Sequence, residues 1–243
     1  MSDANTADGG GVRPIDPRFL MRLFYAFAAL ALLSVAISVA GKLYGRTIAM
    51  AGHTDDATIR EVVIGNDVLA VPSNAIRFET ARRDGIADRL DLYLHWPDML
   101  GYTAATAVDF NSPVGDGAIL FLRFEPRTMS RDMSGRLEPI YTRMIEHPGK
   151  LTDGGVVLYD FTQKSGYVDE VLAVAGYKDK TPFVARCLTG ATAAQSFAPC
   201  ERDLHVGEGL SLTYRFPAGL LSGWRSLDAA VLARANGYLR TGR

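Results

Sequence analysis

The sequence is short of nearly everything that names an activity. Among 243 residues there are 4 His and 2 Cys. The patterns G-x-x-x-x-G-K-[ST], G-x-S-x-G, H-E-x-x-H and G-x-G-x-x-G are all missing, so nucleotide, α/β-hydrolase and zincin chemistry lose their usual sequence support. An excess of one charge sign is missing too: 26 Lys plus Arg stand against 27 Asp plus Glu, a formal net charge of −1. That balance excludes the bulk electrostatics of a nucleic-acid binder. Proline is sparse at 11, and 48% of the chain is hydrophobic, which excludes a wholly disordered protein. What is present is one apolar segment and enough chain for one domain.

The apolar segment runs from Leu23 to Ala40, 18 residues without a charge, bounded by Arg22 and Lys42. At about 1.5 Å rise per residue it covers roughly 27 Å, close to the hydrocarbon thickness of a bilayer. Phe19, Leu20, Leu43 and Tyr44 extend it at the interfaces, where Arg22 and Lys42 can snorkel. Two other readings compete with an anchor over 19–41. Ser38 and Ala40 have the small-residue pattern of a signal-peptidase site, although the apolar region exceeds the usual limit of about 15 residues. A core helix would ordinarily carry charge on one face. Within the segment Ser34, Ser38, Gly41 and Gly45 fall at i, i+4, i+7 and i+11 and share one face, against which a second membrane helix could pack closely.

Flanking charge does not orient the anchor, because Arg13, Arg18 and Arg22 precede it while Lys42, Arg46 and Arg60 follow. The cysteines bear on the question. Cys187 and Cys200 flank LTGATAAQSFAP, a small-residue, turn-rich segment suited to joining two strand ends. An even pair closing a short loop reads as a disulfide and hence an oxidising compartment, with two unpaired buried thiols as the alternative. The expected arrangement is a cytoplasmic tail over 1–18, an inner-membrane span, a juxtamembrane connector over 42–60 and a periplasmic domain over 61–243.

In that domain the patterning changes to strands. VVI and VLAV flank the turn Gly65-Asn66-Asp67, and AIRFE follows at 75–79. Arg89 to Trp96 alternates, with Leu90, Leu92, Leu94 and Trp96 on one face and Asp91, Tyr93 and His95 on the other. Further strands are expected at 118–124, 155–161, 168–176, 183–188 and 210–216. Two segments have helical period instead: Leu137, Ile140, Tyr141, Met144 and Ile145 within 134–147, and Leu220 to Tyr238 near the end. The predicted class is α+β, mainly β: an N-terminal transmembrane helix, then a mostly antiparallel β-rich domain covered by two amphipathic helices.

The chemistry-bearing residues do not assemble. His53-Thr54-Asp55-Asp56 has hard-ligand composition, but adjacent residues on a connector seldom converge on one ion. His95 sits on the polar face of its strand, His147 precedes Pro148 at the expected end of a helix, and His205 falls in a polar turn. No catalytic residue, cofactor or metal site is nominated. The one segment with interface chemistry is Glu125 to Arg136, where Arg127 and Arg131 interleave with Met129 and Met133. Arg offers a planar donor fork and Met an adaptable apolar contact, and both are enriched at protein interfaces. The alternatives are an ordinary loop whose Met side chains tuck onto the sheet and, if the loop reaches the membrane surface, an anionic headgroup site.

The fragments VLAVPSNAIRFE at 68–79, LYLHWPDMLGY at 92–102 and YRFPAGLLSGWRSLD at 214–228 resemble uncharacterised single-span membrane-anchored proteins of alphaproteobacteria. The resemblance implies a bacterial inner-membrane setting and carries over no active site. Three function classes stay open: an interaction or assembly factor of an envelope complex with a protein partner, a periplasmic ligand-binding module, and an envelope hydrolase. A deep polar pocket with converging His, Asp or Ser would mark the enzyme, a closed apolar cavity the ligand module, and an exposed aromatic, Arg or Met patch the interaction factor.

Overall fold

The computed structural model describes residues 17–49, 52–112, 119–176 and 181–240. The chain divides into two compact units, residues 1–49 and 50–243. The described residues of the first form one helix, α1 (Pro17–Ala49), with proline at its first position, where a missing N–H costs nothing. Its window Pro17–Val39 is long and apolar enough to cross a membrane, and 0% of it is buried within the chain. That exposure removes the core-helix reading. Ser34, Ser38, Gly41 and Gly45 all fall inside α1.

The second unit begins with a hairpin, β1 (Ile59–Ile64) and β2 (Asp67–Pro72), closed by the two residues Gly65-Asn66. Gly65 takes φ +59°, the left-handed conformation that such a tight turn demands and glycine supplies without strain. β3 (Gly85–Ile86) adds in parallel to β1, giving a sheet of order β2-β1-β3. The larger sheet is formed by β4 (Leu90–His95), β5 (Ile119–Pro126), β6 (Lys150–Leu151), β7 (Val156–Asp160), β8 (Glu170–Ala175), β9 (Phe183–Leu188), β10 (Cys200–Val206) and β11 (Leu210–Phe216). Its order is β4-β5-β11-β10-β9-β8-β7-β6 and every neighbouring pair is antiparallel. An apolar helix followed by a mainly antiparallel β domain is therefore the α+β, mainly β architecture.

Register fixes which residues face the core. Leu92, Leu122, Tyr214 and Arg202 lie side by side across four strands. Their face packs with β1, β2 and helix α5 (Trp224–Tyr238) in one apolar cluster, to which α5 contributes Trp224, Leu227, Val231, Ala235 and Tyr238 at helical spacing. A second cluster lies on the opposite face, where Met133, Leu137, Tyr141, Ile145 and Phe161 cover Leu172, Val174 and Val184.

Several expectations need correction. The stripe over 134–147 is largely buried but is not one helix: α3 spans only Met133–Arg136, and a 3-10 turn follows at Tyr141–Arg143. Pro139 explains the break, since it lacks an N–H and its ring clashes with the preceding turn. Residues 75–79 form no strand; 3-10 turns at Ser73–Ala75 and Glu79–Ala81 take in both ends, and Ile76 makes a single bridge to Leu92. β10 went unread, because Cys200-Glu-Arg-Asp-Leu-His-Val is rich in charge, and His205 belongs to this strand rather than to a turn. On β4 the supposed polar face is covered as well: Asp91 and Tyr93 are buried alongside Leu90, Leu92 and Leu94.

Candidate interaction cleft on the sheet

The outer face of the large sheet is covered at both ends and open in the middle. Over β4 the cover is residues 52–58 and the short helix α2 (Ala107–Asn111). There His53 stacks on Tyr102 at 4.7 Å, while Phe110 and His53 meet Tyr93 edge-on at 4.9 and 5.3 Å. Over β10 the cover is the 132–137 segment, held by Asp203. Its carboxylate accepts from the Met133 backbone N–H at 2.7 Å and from the Arg136 guanidinium at 2.7 Å. Between these covers the outward side chains of β5 and β11 remain accessible.

Two cross-strand rows pass beneath this opening, and their members Phe121, Arg215, Glu201, Asp91, Arg123 and Thr213 line the cleft there. One runs Tyr93, Phe121, Arg215, Glu201, Arg186; the next runs Asp91, Arg123, Thr213, Asp203. The walls are Arg77, whose backbone N–H donates to the Asp91 carbonyl of β4 at 3.0 Å, and Gln195 to Ala198, which lie between α4 (Gly190–Ala194) and β10. Together they enclose a cleft of about 410 Å³. Phe197 on its rim is 51% exposed and Phe78, beside Arg77, 45% exposed.

The cleft's charges are unequally committed. Asp91 is shared by Arg123 at 2.8 Å and Arg89 at 3.2 Å. The Asp91 bond also pushes the Arg123 guanidinium above its ordinary value. Glu201 is engaged by Arg186, which also reaches Glu170 at 3.5 Å. Arg77 and Arg215 differ. The Arg77 guanidinium lies 4.9 Å over the Phe121 ring and 5.1 Å over Phe78, and Arg215 donates to Ser196 Oγ at 3.2 Å. Neither makes an ion pair with a carboxylate among the described residues.

Sequence reasoning nominated a different segment, Arg127, Met129, Arg131 and Met133, and the structure separates these four residues. Arg127 is exposed but ties the end of β5 to the β10–β11 turn, donating to the Gly209 carbonyl at 2.7 Å and the Glu208 carbonyl at 3.2 Å. Met129 is 53% exposed and Arg131 is exposed, whereas Met133 is 3% exposed and sits in the second apolar cluster. Met133 therefore offers nothing to a partner. Cys187 and Cys200 are disulfide-bonded and directly opposite each other on β9 and β10, so the bridge closes the loop that carries Ser196 and Phe197 to the cleft. The missed residues, Phe121, Arg123 and Arg215, had a signal: in ILFLRF and LSLTYRF the outward positions of two strands carry arginine.

Among the described residues no group of three His, Cys, Asp or Glu side chains is arranged to hold a metal ion. Each histidine with a polar contact is engaged locally. His95 meets Asp98 at 3.0 Å and Asp109 at 3.2 Å, joining β4 to the turn after it and to α2. His53 Nδ1 lies 3.0 Å from the Tyr93 hydroxyl.

No protein-family model matches the chain, and no curated protein matches it in sequence. In fold it is similar to an immunity protein of the Stenotrophomonas maltophilia type IV secretion system. That match has a TM-score of 0.52 at 11% identity, over 76% of this chain and 94% of the other. The Neisseria meningitidis iron-regulated outer membrane lipoprotein FrpD aligns with a TM-score of 0.44 at 8% identity, over 76% of this chain and 95% of its own. The first of these likenesses is one of fold.

Proposed function

We propose that the protein is an interaction factor of the bacterial cell envelope, anchored in the inner membrane by residues 19–41. In this reading residues 1–18 are cytoplasmic, 42–60 form the connector and the 61–243 domain binds a protein partner in the periplasm. The open cleft carries the reading: an exposed phenylalanine and two arginines without carboxylate partners surround it, and no acid–base or nucleophilic constellation converges there. The apolar helix supports the anchor and the Cys187–Cys200 bridge supports an oxidising compartment. The similar fold of a secretion-system immunity protein supports a role in contacts between proteins. An anchor would raise the domain's effective concentration near membrane partners.

Site-specific photocrosslinking in intact cells tests this. A photoreactive residue at Thr213, on the cleft floor, should give a discrete protein adduct, and one at Val168, exposed elsewhere at 77%, should not. Equal yields from the two positions would overturn the reading.

A further inference from the structure

Resting on that reading, the charge pattern of the cleft specifies the chemistry of the partner. Three guanidiniums, Arg77, Arg123 and Arg215, line it with two carboxylates, Asp91 and Glu201. Both carboxylates are already neutralised, Asp91 by Arg89 and Arg123 and Glu201 by Arg186. Arg215 is directly opposite Glu201 in the β10–β11 register, yet it bonds Ser196 instead. Arg77 has aromatic faces for company and no carboxylate. Two charged donor forks thus remain, and Phe121 lies between them: Arg77 sits over its ring, and Arg215 is its cross-strand neighbour.

We propose that this cleft binds an acidic–apolar segment of a protein partner, in which a Glu or Asp carboxylate meets Arg77 and Arg215 while an adjoining aromatic or large aliphatic side chain packs on Phe121 and Phe197. A guanidinium fork matches a carboxylate in a bidentate manner, and in a partly dry cleft such a bond is roughly twice as strong as a neutral one. The apolar floor and rim supply the area that charge alone does not. A nucleic-acid or lipid polyanion fits less well, since two uncommitted guanidiniums on either side of an aromatic ring match one carboxylate with an adjoining apolar side chain, not a continuous row of phosphates, and Glu125 lies on the same outer face.

The test uses the full-length chain in detergent micelles and three dye-labelled nonapeptides that share a Leu/Phe pattern and carry Glu, Gln or Lys at the intervening positions. Fluorescence anisotropy should give at least tenfold tighter binding for the Glu peptide than for the Gln peptide. Arg77→Gln with Arg215→Gln should abolish that preference, and Arg127→Gln, outside the cleft, should leave it. Because Arg77 and Arg215 are exposed and unpaired with carboxylates, the double variant should melt with the wild type, and Arg215→Lys alone should retain part of the preference. Equal affinity for the Gln peptide, preference for Lys, failure to bind the Glu peptide, or tighter binding of a single-stranded DNA oligomer would each overturn the proposal. Any of these with the Thr213 adduct intact removes the acidic chemistry alone; loss of the adduct removes the interaction reading itself.

Discussion

Arg202 on β10 and Asp228 on α5 meet inside the domain, with Nε 3.0 Å from Oδ1 and the arginine only 3% exposed. The reason lies in the sheet. β9 and β10 pair at just two positions, Cys187 with Cys200 and Arg186 with Glu201, and then separate. The Arg202 guanidinium fills the opening: it donates to the Val184 carbonyl and to Ser134 Oγ, both at 2.9 Å, and lies 4.8 Å over the Phe183 ring. Tyr214 donates to the same Asp228 oxygen at 2.8 Å. Burial first, and the Asp228 charge second, push the Tyr214 phenol well above its ordinary value, so it remains the donor.

Removing one partner of such a pair strands the other, so Arg202→Ala should cost about 3–5 kcal/mol. Urea unfolding of Arg202→Ala, Asp228→Ala and the double variant checks this. The double variant should fall well short of the sum of the single losses, and strict additivity would show that the pair is not coupled.

The two methionines of the loop after β5 should separate cleanly. Met133 is buried against Leu172, Val174 and Val184, so Met133→Ser should destabilise by about 2–5 kcal/mol, while Met129→Ser, at an exposed position, should stay within about 0.5 kcal/mol. Thermal melts of the two variants decide it, and similar melting temperatures would contradict the placement of Met133 in the core.

That contrast shows how far the sequence could be read. Period-2 alternation gave β4, β5 and β11, helical spacing gave α5, and Gly65-Asn66 gave the first hairpin, because in each the local pattern and the core-facing register coincide. β10 was missed because Glu201, Arg202 and Asp203 look solvent-facing, while tertiary partners from α5, α3 and β9 are what allow Arg202 inside. The cleft was missed for a related reason. Arg123 and Arg215 were legible as outward positions, but their convergence with Arg77 and Phe197 depends on strand order, which juxtaposes β5 with β11 across some ninety residues of chain and has no local signature.

The Cys187–Cys200 bridge should matter to the cleft as well as to stability. With a sequence separation of 13, it should contribute on the order of 3 kcal/mol by the chain-entropy model. Since the closed loop carries Ser196 and Phe197, Cys187→Ala with Cys200→Ala should lower the crosslinking yield at Thr213 under conditions where the domain is still folded. An unchanged yield would show that β9, β10 and their contacts position the loop without the bridge.

Retention of α1 follows from the anchor reading. The uncharged run Leu23–Ala40 is 18 residues, longer than the roughly 15 of a removable signal's apolar region. Intact-mass measurement of protein extracted from membranes should therefore include residues 17–39. A mass that begins after Ala40 would make the segment a signal peptide and free the domain from the membrane.

His53 sits against Tyr93, Tyr102 and Phe110, and Arg82 donates to the Gly52 carbonyl at 2.9 Å beside it. Burial, and after it the Arg82 charge, lower the His53 imidazole below its ordinary value, outweighing a hydrogen bond that the ring donates to Asn111 and that works the other way. The folded domain thus binds this proton less readily than the unfolded chain, whose value is about 6.5. The stability His53 contributes is complete above that unfolded value; it is lost as pH falls from there toward the lowered folded value, and below the latter the loss is constant. His53→Phe keeps a ring in the aromatic cluster and removes the titration. On going from pH 8 to pH 5.5 the wild type should lose more melting temperature than this variant, and equal losses would exclude His53 as the origin. Residues 52–58 are also bonded to the turn after β2, with Asn74 N–H donating to the Asp56 carbonyl at 2.8 Å and Ser73 N–H to the Thr58 carbonyl at 2.9 Å. Loosening at acid pH should accordingly start at Gly52 and His53 and leave 56–58 in place, so the Ser73 and Asn74 amides should stay protected from hydrogen exchange at pH 5.5.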